Sequence, residues 1–382
     1  MRDESGRLLL GAGQHIRAQG QLEILRAQPL FACEAESAVW HRRLGALVDD
    51  LVRRQAPLHE VGLARPEPVD AEVRLAPEQS LAEQWDSLAM QLDAALRDAQ
   101  GSGGDALARM ESVRQRARQL LRLRNDGSLY HLVYAASDRT EKYSSRHSLL
   151  TLLICELAAP LLGWSSAWID SLGRAALSMN LAMLQLQDQL AASTKPVGAQ
   201  ARGEIDTHAQ RGAESLLLCG MDDALAVAVV RLHHSDGPQG LGLAALPTEQ
   251  RLARMLHRAD VVGAKISRRA SREPMSAVQA ARDACLGEGG VPDEIGSALL
   301  KAVGLYPPGS FVALANGEVG IVVARGRRAN LPHVASLVAR NGDPLGEPVR
   351  RDTVDRRYAV KAAVAPRAVK VHLAHERLLV LR

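Results

Sequence analysis

The chain has 382 residues, 47% of them apolar, with 47 basic against 43 acidic side chains and a formal net charge of +4. That length holds two or three domains with real cores, at ~100 to 200 residues per domain, and the basic excess is Arg scattered along the chain, which demands no nucleic-acid partner. Aromatic residues make up only 3%, too few for the stacking platforms of single-stranded nucleic-acid binders, so nucleic-acid binding is set aside.

The N-terminus, MRDESGRLLL, lacks a basic start followed by an apolar run; no signal peptide is expected and the protein is read as cytoplasmic. Residues 1–54 read as a small α+β cap, with an Asp-Glu-Ser-Gly turn between short strands and a helix over Ala38 to Arg54. Residues 55–80, with four prolines and scattered charges, read as a linker. Residues 81–125 hold two amphipathic segments, Leu81 to Ala99 and Asp105 to Leu123, with apolar positions every three or four residues and a Gly-Ser-Gly-Gly connector between them. They predict a helical hairpin, suited to packing on a neighbour or on a second copy of the chain in a homodimer. The connector lacks the Lys-Ser/Thr and preceding strand of a phosphate loop.

Residues 126–304 are helical almost throughout, with apolar runs at Leu129 to Val133, Leu149 to Leu162, Ala175 to Leu184, Ala213 to Leu218, Ala224 to Leu232, Leu252 to Val262 and Ala277 to Leu286. The most apolar stretch, Leu149 to Trp164, is interrupted by Glu156 and Pro160. It falls short of the roughly 18 uninterrupted apolar residues of a spanning helix, so a core helix is expected and no membrane span. After Tyr306-Pro-Pro-Gly the period changes to two in FVALANGEVGIVVARG, VASLVAR, YAVKAA and VHLAHERLLVLR, with turn signals at Asn316-Gly317 and Asn341-Gly342. Residues 305–382 therefore read as a C-terminal β appendage. Cys33, Cys155, Cys219 and Cys285 lie far apart without a C-x-x-C pair, as reduced thiols do. The fold class is mainly α, a helical bundle with small β-containing ends.

Five histidines fall between residues 147 and 257: His147, His208, His233, His234 and His257, with Asp260 following on the same helix as the last. Imidazoles and carboxylates projecting from several helices into one core are how helical hydrolases hold divalent metals. A lone histidine in a bundle is more often a polar core or capping residue. The ordered set carries more: Tyr143-Ser-Ser-Arg-His147, an apolar helix 32 residues later, His208, His233-His234-Ser-Asp-Gly-Pro-Gln-Gly-Leu, Ala259-Asp260 and Tyr306-Pro-Pro-Gly. Over about residues 126 to 345 this order resembles the HD-GYP domain, a branch of the HD-domain phosphohydrolases that hydrolyses cyclic di-GMP with metal-held water.

The resemblance implies an HD-type helical bundle and metal ligands at His147, His208, His233, His234 and Asp260. It also implies a defect. Ala175-Ala-Leu-Ser-Met-Asn-Leu-Ala-Met183 stands where the family carries Ala-Leu-Leu-His-Asp-Ile-Gly-Lys. Met179 and Asn180 thus occupy the His-Asp positions, Ala182 the glycine, and Met183 the phosphate-facing lysine. An Asn amide is neutral and a Met thioether soft, where two hard cations need a bridging carboxylate. The family's glycine-tyrosine-proline loop is replaced by the shorter His233–Leu241 segment without tyrosine. No catalytic residue is assigned.

By the same resemblance, His147 and Asp260 belong with the lost pair around one metal, and His208, His233 and His234 around another. Those three leave room for one divalent ion, Fe, Mn or Zn, as three-histidine zinc sites do. The expected function is a degenerate signalling module in cyclic di-GMP signalling, with cyclic di-GMP and proteins such as diguanylate cyclases as partners. The alternative is an active metal-dependent phosphodiesterase with Asp188 or Glu204 as replacement ligands; Asp188 lies two helical turns, ~12 Å, beyond Asn180, too far to substitute directly. Lys265, Arg268, Arg269 and Arg272 can pair with phosphates or an acidic partner, but a solvated face is the simpler reading, as it is for Arg325-Gly-Arg-Arg328. No G-x-S-x-G elbow supports serine hydrolase chemistry.

Overall fold

The computed structural model describes residues 79–101, 105–235, 241–286 and 290–381, with isolated positions before residue 60. The chain divides into two units, Met1–Gln79 and Ser80–Arg382. The expected cap and linker lie almost wholly outside the described residues. The second unit is mainly helical with a small antiparallel sheet.

Helix α1 (Leu81–Ala99) starts at a capping box, in which the Ser80 hydroxyl accepts from the Glu83 amide while the Glu83 carboxylate accepts from the Ser80 amide. Its buried stripe includes Trp85, Leu88, Leu92 and Leu96, at helical spacing. Helix α2 (Ala106–Leu123) buries Met110, Val113, Ala117 and Leu120. The two pair as the predicted hairpin. Their apolar faces close on the chain's own bundle: α1 packs on α3 (Asn125–Asp138) and α4 (Tyr143–Ala158), and α2 on α5 (Ser166–Ser178).

Helix α4 is the axis of the bundle. Leu149, Leu150, Leu152, Leu153 and Ile154 are all buried, so the helix is apolar on nearly every face, as an enclosed helix must be. With the 3₁₀ turn Ala159–Leu162 that Pro160 imposes, Tyr143–Leu162 is long and apolar enough to cross a bilayer, with mean hydropathy 1.2, yet 67% of that window is buried among other helices. It is the expected core helix. Cys155 on it is fully buried and burial pushes its thiol up; the Cys219 thiol faces the Ala99 carbonyl at 3.1 Å.

Helix α5 stops at Ser178, and Met179-Asn180 leads through a 3₁₀ turn, Leu181–Met183, into α6 (Leu184–Ala192). Next come α7 (Ala199–Leu218), α8 (Ala224–Leu232), whose N-terminus is capped by Asp223, α9 (Thr248–Ile266), α10 (Ala277–Cys285) and α11 (Glu294–Val303). Helix α9 runs along α4 and α8.

The sheet comprises β1 (Phe311–Leu314), β2 (Val319–Ala324), β3 (His333–Val338), β4 (Pro344–Asp352) and β5 (Val360–Val364), ordered β4-β3-β2-β1-β5 with every pair antiparallel. Gly317 and Gly342 of the two predicted Asn-Gly turns have φ of +90° and +91°, the left-handed geometry that selects glycine. Two expectations need correction. The segment PLGEPVRRD forms strand β4, which the periodicity missed: it is an edge strand, largely exposed, so prolines and charges replace the alternation of a half-buried strand. The segment read as a last strand, VHLAHERLLVLR, instead holds helix α12 (His375–Val380). Leu378 and Leu379 are adjacent and both buried, which a helix end wedged against the bundle permits. His375 anchors it, its Nδ1 2.9 Å from the Tyr130 hydroxyl and its ring beside Tyr134.

Gly309 joins sheet to bundle. With φ of +89° it lies against the Tyr130 and Tyr134 backbone, where a Cβ would collide with the Tyr130 carbonyl oxygen. Gly342 has the same handedness but open space. Gly309→Ala is therefore expected to cost clearly more stability than Gly342→Ala, for which only the left-handed backbone penalty of ~1–2 kcal/mol applies. Urea midpoints of the two variants check this; equal midpoints would contradict the packing assigned to Gly309.

Candidate functional site

Helix α9 delivers His257, Asp260 and Gly263 at three-residue spacing to one side of the helix. At Gly263 it meets α4 closely, for a Cβ there would lie 3.1 Å from the His147 ring and 3.5 Å from the Thr151 hydroxyl. One turn back on α9, Asp260 meets the same imidazole: His147 Nε2 is 2.6 Å from Asp260 Oδ1. Burial pushes the Asp260 carboxyl up, but the hydrogen bond and charge of His147, with His233 and His234 nearby, outweigh it and hold the group well below the usual carboxylate range. Tyr143, one turn before His147 on α4, stacks on the imidazole with ring centroids 5.6 Å apart and planes within 12°. Arg269 lies over the Tyr143 ring and donates to its hydroxyl at 3.0 Å.

The second cluster forms where α7 meets the end of α8. His208 Nδ1 points at the Ile205 carbonyl oxygen, and His233 Nδ1 at the Val230 carbonyl oxygen, 2.6 Å away. Carbonyl oxygens only accept, so both Nδ1 atoms carry the protons and both Nε2 atoms present lone pairs. Those two Nε2 atoms face each other at 3.2 Å. Burial lowers the basicity of all three histidines, His233 to about 3, which favours neutral rings. Two facing lone pairs need a cation or proton between them, so the donor set fits a metal ion. His234 completes the group: one ligand atom from each of His208, His233 and His234 lies within 4.8 Å of the others. His208 and His233 are buried and His234 is exposed, so the cluster opens to solvent on the His234 side.

Met179 and Asn180, the residues expected in the His-Asp positions, lie in different surroundings. Met179 is fully buried and part of the main apolar core, and Asn180 is 3% exposed with its Nδ2 unpartnered. Met183 is half-buried on the 3₁₀ turn, which packs against α7, the helix of His208. Asp188 caps the start of α4, accepting from the Ser144 amide at 2.9 Å, and pairs with Arg97. Residues 236–240, the bulk of the expected family loop, lie outside the described residues.

Sequence reasoning named five of these side chains as ligands, and the structure brings them together as a three-histidine group with the His147–Asp260 pair beside it. It gave no role to His257, whose ring meets His234 edge-on at 5.3 Å. Its signal was the i, i+3 spacing to Asp260. Of the cationic group after Asp260, Lys265 pairs with Asp283, Arg268 donates to the Asp138 carbonyl and Arg272 to the Ala264 carbonyl. Arg325 pairs with Asp126.

No family model matches the chain. Over 232 residues it is 29% identical to the cyclic di-GMP phosphodiesterase PA4108 of Pseudomonas aeruginosa, a match over 59% of this chain and 55% of that protein. The chain thus spans about half the length of this curated relative. Among solved structures, Bd1817, a HDG"Y"P protein from Bdellovibrio bacteriovorus, superposes with a TM-score of 0.44 and 14% identity over 59% of this chain and 73% of that one. The resemblance read from the ordered motifs is borne out by the curated relative.

The lowered histidines fix a sign for the acid response of the metal-free protein. Folded-state values below the unfolded ~6.5 mean that the unfolded chain binds more protons below that pH. Stability is complete above ~6.5 and is lost as pH falls toward the folded values, about 3 for His233. Asp260, lowered as a carboxylate, adds its loss only below ~4. In chelator, unfolding free energy is expected to fall by roughly 1 kcal/mol or more per pH unit between pH 6 and 5, and less steeply in His233→Gln. Denaturation midpoints across that range test it; a flat profile would contradict neutral imidazoles.

Proposed function

We propose that this chain is an HD-GYP-like signalling protein that does not hydrolyse phosphodiesters. In this reading it is a cytoplasmic regulatory module in cyclic di-GMP signalling, which binds the dinucleotide or partners such as diguanylate cyclases without cutting. The observation that carries the reading is the character of the two residues in the His-Asp positions: Met179 lies in the apolar core and Asn180 offers a neutral amide whose unpartnered atom is a donor. A two-metal hydrolase needs a carboxylate there that bridges both ions. The opposing ligands supply no substitute, since His147 Nε2 is engaged by Asp260. The residues present do not fit a second ion.

They do fit one. His208, His233 and His234 would hold a single Zn²⁺, Fe or Mn ion, with the ring orientations of the first two set by backbone carbonyls. Such an ion supplies Lewis-acid charge at the solvent-facing side. His234, exposed, is the residue at which ligand or solvent reaches the cluster. With Met183 in the lysine position, this chain places no cation from that turn against a phosphate, so charge developing there lacks that stabilisation. A second reading, hydrolysis at a single ion, has one observation in its favour: a three-nitrogen set leaves a coordination position open.

Metal analysis of chain purified without added metal, together with cyclic di-GMP turnover in Mn²⁺ and Fe²⁺, tests the proposal. One ion or fewer per chain is expected, with no turnover and with metal lost in His208→Ala. Two ions per chain, with hydrolysis that disappears in His208→Ala, would overturn it. The combined change Met179→His, Asn180→Asp and Met183→Lys is expected to raise metal content toward two ions per chain; no increase would count against the placement of Met179-Asn180 in the His-Asp positions.

A further inference from the structure

The C-terminal segment is held to the rest of the protein by few polar contacts. After β5 the chain makes a 3₁₀ turn, Pro366–Ala368, and residues 370–374 run without regular structure into α12. Among the described residues, one hydrogen bond joins residues 370–381 to the rest of the protein, that between Tyr130 and His375. The other contacts are apolar. Leu378 and Leu379 are buried, and Val371 and Leu373 pack half-buried against the core. A Cβ at Gly127 would lie 2.8 Å from Leu81 Cδ2 and 3.8 Å from Leu379 Cδ2, so α12 closes over the starts of α1 and α3.

We infer that this segment is an acid-released latch: it is docked while His375 is neutral, and protonation of His375 frees residues 370–381 and uncovers the apolar surface at the starts of α1 and α3. Tyr130 is 1% exposed, and its hydroxyl has His375 Nδ1 as its one hydrogen-bond partner among the described residues, at 2.9 Å. A buried hydroxyl hydrogen needs an acceptor, so Nδ1 accepts and Nε2 carries the ring proton. Protonation turns Nδ1 into a donor. The Tyr130 oxygen then accepts from it, and the hydroxyl hydrogen is left unpaired where water does not reach. On the released segment the same imidazole is hydrated and carries its charge without that loss.

The surroundings of the ring oppose its charge. His375 lies where three elements meet: its ring is 4.7 Å from that of Tyr134 on α3, and Tyr134 meets Phe311 of β1 edge-on at 6.4 Å. Besides the two tyrosines, the groups that act on it are His131 and Asp138 of α3, Arg139 just beyond, and His372 on the segment itself. Asp86 of α1 is taken up by Arg139 at 3.1 Å and lies 3.6 Å from His131 Nε2, and Glu376 and Arg377 of α12 are exposed. Burial lowers the basicity of His375 first, His131, Arg139 and His372 add to the lowering, and Asp138 pulls the other way. A released histidine at its ordinary ~6.5 therefore binds more protons below that pH than the docked one. Docking is complete above ~6.5 and weakens as pH falls toward the lowered docked value. Metal and cyclic di-GMP play no part in this response.

Tryptic cleavage of the full chain after Arg377, timed by mass spectrometry and normalised to a free peptide of the same segment, is compared between about pH 7.5 and about pH 5.5 in wild type, His375→Gln and His372→Gln. Glutamine offers Tyr130 an acceptor oxygen and does not titrate in this range. In wild type and in His372→Gln the normalised cleavage is expected to be about threefold or more faster at the lower pH. In His375→Gln it is expected to be the same at both. A second measurement holds even where His375→Gln fails to dock: the His375 imidazole, followed by NMR in wild type, is expected to titrate below ~6.5 and in step with the gain in cleavage. Equal cleavage at both pH values in wild type, an equal gain in His375→Gln, or a His375 midpoint at or above ~6.5 overturns the latch.

Discussion

The close approach of α4 and α9 is the constraint on which the site depends. A glycine at 263 lets the two backbones draw together beside His147. Any side chain there would press on the His147 ring or the Thr151 hydroxyl and move α9 outward. The distance between His147 and Asp260 is a consequence of this packing, because a 2.6 Å contact between side chains on two helices tolerates little displacement of either axis. The same placement sets His257, one turn before Asp260, beside the end of α8. One small residue therefore determines how two ligand-bearing faces meet.

Much of this organisation is legible in the sequence, for identifiable reasons. The hairpin of α1 and α2 and the core helix α4 follow from apolar spacing, because helices buried on one stripe or on all sides leave different patterns. The Asn-Gly turns follow from backbone handedness. Strand β4 escapes because an edge strand with little burial has no alternation to read, and α12 is mistaken for a strand because six residues are too few to distinguish a period of two from 3.6. For the site, residue types and their order suffice to name His147, His208, His233, His234 and Asp260. Their division into a pair and a triad is implied by the family resemblance, whereas the direct contact between His147 and Asp260 is not, because it depends on which helix faces meet. His257 lacked a matching motif position, and only the contact with His234 brings it forward.

The two halves of the site differ in electrostatic character. Around Asp260 the charge is satisfied internally: a carboxylate held strongly acidic is bound by an imidazole, itself stacked on Tyr143 beneath a guanidinium. The imidazole is satisfied on one nitrogen, while His147 Nδ1 is buried without a hydrogen-bond partner. Around His208 and His233 the reverse holds, since burial keeps the rings neutral and the carbonyl hydrogen bonds turn both lone pairs inward. Neutral rings with converging lone pairs are repulsive toward each other and attractive toward a cation. The hydrogen bonds thus pair the carboxylate in one half of the site and leave nitrogen lone pairs facing each other in the other.

A histidine-aspartate pair needs partners wherever it is buried, because an unpaired carboxylate in an apolar interior is strongly destabilising. Met179 instead lies in the continuous core with Leu177, Leu181 and Leu184, where a flexible thioether fills irregular space without polar demands. Helix α5 breaks at Ser178 and the chain resumes through a 3₁₀ turn against α7. Had the turn been lost, α7 would have had a different surface to pack on and His208 a different position. The turn, with the apolar Met179 just before it, gives α7 the surface that places His208, so the position of the three-histidine group depends on packing around α5 as well as on α7 and α8.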